Sequence, residues 1–440
     1  MRFIQTIKNI WKIEDLRRRL GITFLFILIY RLGCYVVLPG INPNQLDAMR
    51  AFTDSGLMQL LDMFSGGAFS QASIFALGIM PYITASIVIQ LLGMVMPSFQ
   101  KMQREGESGR MKLNQYTRYL TVLILLVQAP AYLINLRMQV NHAGGGMEMS
   151  AWTMVFLTIV LTAGAMFIMW LGEKITDKGI GNGISMIILV GIIARFPSAI
   201  SQEFVGRLTT AQGGLVMFLV EVIVLFAVTA GAVMLTQGTR KVPVQYARRI
   251  VGNKQYGGAR QYIPLKVNAA NVMPIIFAQA LMFVPITLAG FSSNPNGWLA
   301  RTFGDMNSVP YNVVYFILIV AFTYFYTAIT VRPTQMAEEM KKNSGFIPGI
   351  KPGKKTAEYL DTIMSRITLP GSIFLGIVAI LPAFARFFGV NQNFAQFFGG
   401  TSLLIIVGVV LDTLQQVETH LMMHHYDGLM KGGKVKGRSL

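Results

Sequence analysis

The stretch LLDMFSGGAFSQASIFALGIMPYITASIVIQLL, residues 60–92, joins an interrupted apolar segment to a continuous one. It starts as an apolar segment, breaks at Gly66 and Gly67, and passes through small polar residues before it becomes continuously apolar. Glycine pairs favour backbone conformations that end a helix. The pattern predicts two elements joined at Ser70 to Ser73, namely a short half-helix followed by a true membrane span.

The composition places the chain in a membrane. Of its 440 residues, 53% are hydrophobic and only 13% are charged. A soluble domain carries about 25% charged residues, so the missing charge indicates a bilayer as the solvent. Cys34 is the only cysteine, which excludes a disulfide within the chain.

Ten apolar stretches approach the roughly 20 residues that a spanning helix needs. The fifth is the weakest, because Arg195 and Pro197 interrupt it. The predicted spans lie near residues 20–38, 74–96, 119–137, 152–172, 183–200, 214–236, 272–292, 311–331, 367–386 and 400–418.

The distribution of basic residues gives the orientation. The N-terminal tail and the connections after every second span hold 31 of the 38 Lys and Arg residues. By the positive-inside rule, both termini and these connections are cytoplasmic. We therefore predict a multi-pass protein of the cytoplasmic membrane.

An external loop at residues 201–213 divides the ten predicted spans into two sets of five. An odd number of spans in each half means that two halves of similar fold would have opposite orientations in the membrane. The predicted parts are a cytoplasmic tail (1–19), a first half (20–200), the external hinge loop (201–213), a second half (214–420) and a basic cytoplasmic tail (421–440).

Two cytoplasmic connections are long and basic. In residues 237–268, apolar and polar residues alternate around a Gly-rich middle, which predicts a protruding hairpin with Val242, Val244 and Tyr246 on one strand. Residues 332–366 contain several turn-forming Pro and Gly residues and predict a second basic loop.

No constellation of residues indicates catalysis or a cofactor. GFIPGIKPGKKT places Lys355 where a phosphate loop needs Ser or Thr, and the histidines near residue 424 have no cysteine nearby. We predict no enzyme activity, no cofactor and no metal site. Four ionisable groups lie toward the ends of spans, where we expect their side chains to reach the membrane surface, namely Arg31, Arg195, Glu221 and Asp412.

Several sequence blocks resemble one family. They are the opening stretch, EGESGRMKLNQYTRY, MWLGEKITDKGIGNGIS, PLKVN, FIPGIKPGKKTAEYLD and GGTSLLIIVGVVLDTLQQVETHLM, which follow one another in the same order over nearly the whole chain. They resemble the SecY family, the channel subunits of the bacterial protein translocase. The resemblance implies an all-α channel of ten helices, whose two inverted five-helix halves form a clamshell around a pore closed by a re-entrant plug half-helix.

The resemblance also implies a function. Such a channel lets unfolded preproteins cross the membrane and lets their apolar segments leave sideways into lipid, through a gate between spans 2 and 7. The plug, at about residues 57–73, corresponds here to Leu61, Met63, Phe64, Ser65, Gly66, Gly67, Ala68 and Phe69.

The family's pore ring is a collar of aliphatic side chains that seals against ions and yields to a passing chain. Outside the resemblance, an isoleucine in a membrane helix more often packs against a neighbouring helix or faces lipid. The ring corresponds here to Ile79, Ile83, Ile184, Ile188, Ile276 and Ile405.

Polar residues at the expected gate form either a hydrogen-bonded seam between spans or separately capped helix ends. Both interpretations stay open from the sequence. The residues are Thr84, Ser86 and Gln90 on span 2, with Asn268 and Asn271 at the start of span 7.

The two basic loops resemble the surface that receives the ribosome and the SecA motor ATPase. Their cations suit ribosomal RNA phosphates, although anionic lipids attract such clusters as well. Lys351 replaces the family's usual arginine and lacks the planar fork of a guanidinium. The predicted contact residues are Arg248, Arg249, Lys254, Lys351, Lys354 and Lys355.

The resemblance further implies a small clamping subunit, SecE, and a peripheral subunit, SecG. The alternative is an inverted-repeat secondary transporter for a small substrate, which would need polar groups converging at the midplane. An intramembrane enzyme has no supporting residues in this sequence.

Overall fold

The computed structural model is mostly helical. Among the residues that the structure describes, seven helices are long and apolar enough to cross a membrane, and a bent helix pair raises the number to eight. The structure describes residues 13–41, 62–142, 150–209, 214–246, 249–251, 254–256, 260–270, 272–279, 281–282 and 308–432.

Two of the ten predicted spans are not among these eight. The first forms a helix, Glu14–Gly33, but charged residues occupy much of its first two turns. The seventh, predicted at 272–292, is described only at residues 272–279 and 281–282, most of which are helical.

The chain forms two compact units, one of Met1–Ser198 with Val409–Leu440 and the other of Ala199–Gly408. Within the first unit, the Gly181 amide donates a hydrogen bond to Gln416 Oε1 at 2.9 Å and so links the loop before α6 to the C-terminal helix. Helices α6 and α12 each run through a unit boundary. In chain order the helices are α1 Glu14–Gly33, α2 Met80–Val95, α3 Pro97–Arg104, α4 Glu107–His142, α5 Ala151–Lys178, α6 Gly183–Thr209, α7 Gly214–Gln237, α8 Val309–Thr330, α9 Pro333–Lys342, α10 Lys354–Phe387, α11 Gln392–Ala395 and α12 Gly400–Gly432.

Helix α6 corrects one predicted boundary. Residues 201–209, which we assigned to the external hinge loop, are helical. The pair Glu203 and Arg207, one turn apart and joined at 2.8 Å, supports this final part of the helix. Only residues 210–213 of the predicted loop remain, and they lie outside the described ranges.

Prolines act differently at helix starts and in helix interiors. Pro81 occupies the first turn of α2, where a missing N–H has no helical partner to lose, so it suits the start of this helix. Pro97 forces Met96 into an extended conformation, and the chain bends by 103° between α2 and α3. By contrast, Pro130, Pro370 and Pro382 lie inside continuous helices.

The hairpin predicted in residues 237–268 is present. Strands β1 (Thr239–Tyr246) and β4 (Arg260–Lys266) pair antiparallel, with Val244 opposite Gln261. Between them, β2 (Arg249–Val251) and β3 (Lys254–Tyr256) form a second small ladder.

The two basic loops share one sheet and one core. Strand β5 (Gly345–Phe346), from the second loop, adds to the free edge of β1. The loops are therefore a single folded body in the second unit, which we call the basic platform. Its core comprises Val242, Val244, Leu265, Met340, Ile347, Leu360 and Met364.

Candidate functional site

Residues 62–79, here called the turn segment, lead into α2. Only residues 62–64 are helical, and turns follow up to residue 79. Gly66, Gly67 and Gly78 have φ values of 68°, 91° and 55°, in the left-handed region that interrupts a helix. Of the predicted half-helix, residues 62–64 are helical and residues 65–73 are not, and the chain leaves the helix just before the glycine pair.

Hydrogen bonds within the turn segment hold its first nine residues together. Asp62 Oδ1 accepts from the Ser70 amide at 2.7 Å, and the Asp62 carbonyl accepts from the Gly67 amide at 2.8 Å. Ser65 Oγ donates to the same carbonyl and accepts from the Phe69 amide, both at 3.1 Å. We call these hydrogen-bonded residues, 62–70, the knot. Its hydrogen bonds pair polar groups that turns would otherwise leave without partners.

Side chains from α1 and α4 reach the carbonyl groups of this knot. Tyr30 donates to the Ser65 carbonyl at 3.2 Å, and Arg31 Nη1 donates to the Gly66 carbonyl at 2.6 Å. Tyr132 donates to the Phe69 carbonyl at 2.9 Å. These contacts seat the turn segment against its neighbouring helices.

An ion pair also joins the turn segment to α6. Asp62, only 1% exposed, pairs with Arg195 on α6, and Arg195 Nη2 donates to Ser70 Oγ at 3.4 Å. The expectation that Arg195 extends to the membrane surface is therefore wrong, because an acid at the start of the turn segment holds it.

Apolar packing surrounds the same segment. Phe69 meets Tyr132 edge to face, with ring centroids 4.8 Å apart. Met63, Phe64 and Ala68 are also buried. Leu61, the remaining predicted plug residue, lies outside the described residues.

Four of the six predicted ring isoleucines belong to the first unit. The Ile83 amide donates to the Ile79 carbonyl at 3.1 Å, so these residues are one helical turn apart. Ile184 and Ile188 have the same spacing in α6. Ile276 and Ile405 lie in the second unit, and the convergence of all six stays a prediction.

The predicted gate residues of α2 form hydrogen bonds within their own helix. Thr84 donates to the Met80 carbonyl at 3.1 Å, and Gln90 Nε2 donates to Ser86 Oγ at 3.3 Å. Asn268 is buried in the turn after β4. Asn271 lies outside the described residues.

The predicted cations of the second loop are exposed. Lys351 precedes α10, whose first two residues are Lys354 and Lys355. Arg249 and Lys254 lie on β2 and β3, where the structure describes the backbone. Arg248 lies outside the described residues.

The comparisons with known proteins agree with the motifs. A family model described as SecY matches residues 73–414. The chain belongs to the SecY family. This match runs from within the turn segment through the platform and into α12, so the resemblance inferred from the sequence is confirmed.

Relatives within the SecY family match over nearly their whole length. The protein translocase subunit SecY of Streptomyces coelicolor is 42% identical over 433 residues, covering 96% of this chain and 98% of that protein. The Chlamydia muridarum protein of the same name is 42% identical over 455 residues, covering 98% and 99%.

Solved SecY and Sec61 structures share the fold. A structure concerned with the plug domain of SecY has a TM-score of 0.61 over 92% of each chain, at 19% identity. Sec61 from the canine ribosome–channel complex has a TM-score of 0.56 with the same coverage, at 18% identity. The fold is therefore that of the SecY and Sec61 channels.

Sequence reasoning missed a second buried charge cluster in this SecY family member. Arg207 lies between Glu203 and Glu221 and donates to the Gly389 carbonyl at 3.0 Å, while Glu203 Oε2 accepts from the Asn391 amide at 2.8 Å. Glu221 is buried rather than extended to the membrane surface. The signal available in the sequence was the position of Glu203, Arg207 and Glu221 near the adjoining ends of spans 5 and 6.

Proposed function

We propose that this chain is a protein-conducting channel subunit of the cytoplasmic membrane. It carries unfolded preproteins with signal sequences across the bilayer and releases apolar segments sideways into it. The observation that carries the proposal is the end-to-end match with proteins named protein translocase subunit SecY, which covers 98% of the Streptomyces coelicolor relative. The secondary-transporter alternative has no support among these relatives.

The turn segment acts as the plug. Two observations support this role: the segment lies directly before α2, and most of its side chains are buried within the first unit. Its glycines allow tight turns, and its small polar side chains suit a wet cavity. A plug of this kind blocks ion flow at rest and moves aside for a preprotein.

The isoleucine collar is the second barrier. Branched aliphatic side chains offer ions no ligands, and a narrow apolar constriction excludes water. The one-turn spacing of Ile79 and Ile83 in α2 and of Ile184 and Ile188 in α6 supports this assignment. The ten-helix clamshell with its inverted halves belongs to the same proposal.

The lateral gate opens beside α2. Because Thr84 and Gln90 already have partners in their own helix, we assign the gate mainly to apolar contacts with few hydrogen bonds across the seam. An entering apolar signal sequence then replaces contacts of similar kind.

The basic platform receives the energy-supplying partners, the ribosome and SecA. Lys354 and Lys355 begin a helix whose first turn contains no acid, a position where the helix dipole disfavours cations. Such a placement is better suited to an anionic partner than to stability. The structural neighbour Sec61 was solved in a ribosome–channel complex. SecE and SecG complete the assembly, and the chain itself catalyses no reaction.

Reconstitution tests the proposal. Vesicles containing the purified chain, its co-purifying subunits and SecA are expected to protect a preprotein from added protease when ATP is supplied. A matched preprotein with a charged residue in the core of its signal sequence should remain digestible. Equal digestion of both preproteins would contradict the channel assignment.

A further inference from the structure

The turn segment has contacts of two kinds. Within the segment, Asp62, Ser65 and Ser70 tie the knot together, so residues 62–70 are held as one body. Between the segment and the helices, Tyr30 and Tyr132 contribute neutral hydrogen bonds, and Arg31 and Arg195 contribute charged ones.

The Asp62–Arg195 contact differs from the others in its energetics. The Asp62 side chain is 1% exposed and that of Arg195 is 25% exposed, so the acid has little access to water. Removing one member of a buried ion pair leaves an unpaired charge, which is strongly destabilising. Charged hydrogen bonds are also roughly twice as strong as neutral ones.

We infer that Asp62 and Arg195 are positioning residues that latch the turn segment closed, with Arg31 as a secondary anchor. This inference rests on the assignment of the turn segment as the plug. Displacing the segment separates the carboxylate from the guanidinium, so the latch sets part of the free energy of opening.

The latch makes opening selective. A preprotein that only touches the segment has to pull Asp62 away from Arg195. A preprotein that widens the channel moves α6, and α6 carries Arg195 away from Asp62. The same helix carries Ile184 and Ile188, so movement at the proposed ring reaches the latch through one rigid element.

Cys34 provides a native reporter of the closed state. It is the only cysteine in the chain, it is 1% exposed, and its Sγ lies 3.8 Å from the Ser65 carbonyl. When the segment leaves its seat, this thiol becomes accessible. The rate of labelling by a membrane-impermeant maleimide, applied to intact cells that express the full chain, then measures the open fraction without requiring translocation.

Arg195→Gln should raise the labelling rate at least about tenfold over wild type, equal to about 1.4 kcal/mol. Asp62→Asn should have a smaller effect, because the partly exposed Arg195 tolerates the loss of its partner better than the buried Asp62 does. Arg195→Lys keeps the charge and should restore part of the protection.

Glu173→Gln is the matched control, since it breaks a more exposed ion pair, Arg118–Glu173, in the same unit. Labelling rates are compared only between variants whose thermal unfolding temperature equals that of the wild type, so that misfolding is not mistaken for opening. Labelling of Arg195→Gln at the wild-type rate, no protection by Arg195→Lys, or equal labelling of Glu173→Gln would overturn the latch. If labelling follows the expected order while no preprotein crosses, the latch stands and the channel proposal fails.

Discussion

Gly66 and Gly191 meet backbone to backbone. A Cβ added at Gly66 would lie 2.9 Å from the Cα of Gly191, and one added at Gly191 would lie 3.2 Å from the Gly66 nitrogen. The turn segment and α6 therefore touch where neither has a side chain. Under the proposal that the turn segment is the plug, the closeness of this fit determines how tightly the segment can seal.

Replacing Gly191 with alanine should loosen the seal. The added methyl group overpacks the contact at a cost of about 1–3 kcal/mol, which outweighs a helix-propensity gain of about 1 kcal/mol. We expect faster iodide efflux from vesicles containing Gly191→Ala. The control, Gly206→Ala, lies on the same helix with open space around it, and should leave efflux unchanged. Equal efflux in the two variants would refute the close-packing account.

The cluster of Glu203, Arg207 and Glu221 should stabilise the second unit. Arg207→Met leaves two buried carboxylates without their shared cation, and we expect a loss of about 3–5 kcal/mol in the free energy of unfolding. Breaking the exposed Asp15–Arg19 pair with Asp15→Asn should cost less than about 1 kcal/mol. Denaturant titration in detergent measures both, and a similar loss in the two variants would show that burial does not strengthen the cluster.

Leu360 on α10 links both basic loops through the platform core. Leu360→Ala should lower platform stability by about 2–5 kcal/mol. Hydrogen exchange should accelerate in β1 and β4, although Leu360 is distant from them in sequence. The neighbouring Tyr359 is 39% exposed, and Tyr359→Ala should leave that exchange nearly unchanged. Unaltered exchange in Leu360→Ala would mean that the loops fold independently.

Reversing the charges at the start of α10 should separate binding from stability. Glutamates at positions 354 and 355 suit the helix dipole and should stabilise the helix by about 0.3–1 kcal/mol each. Ribosome affinity should fall, and the slope of log affinity against log salt should become shallower by about two. Changing the exposed Lys112 and Lys178 to glutamate together alters the net charge by the same amount elsewhere in the chain, and controls for net charge. An unchanged slope would exclude phosphate contacts by these lysines.

The fold was predictable wherever the residues of one helix or hairpin carry their own pattern of apolar and polar side chains. Helix α7, Gly214–Gln237, lies within a residue of its predicted span, and the alternation around Val242 and Val244 gave the correct hairpin. Strand β5 was not predictable, because two residues carry no periodicity. Its pairing depends on a tertiary contact between loops far apart in the chain.

The sequence indicated which residues belong to the candidate site, but not which of them contact one another. The glycine pair indicated where the helix breaks, and the sequence blocks placed the proposed plug in the same stretch. The pairing of Asp62 with Arg195 escaped prediction because the two residues are more than 130 positions apart and each looks unremarkable alone. Charges near span ends predict surface exposure unless the fold supplies a partner.

A photo-crosslinking residue at position 83 probes whether a preprotein passes along α2. With a preprotein arrested in transit in native membranes, we expect a crosslink from position 83 to the preprotein. No such crosslink should form from position 226 on α7, where Phe226 is 72% exposed on a helix whose surface suits lipid. Capture at position 226 but not at position 83, or capture at neither while the preprotein is demonstrably arrested, would contradict the assignment of this chain as the conducting channel.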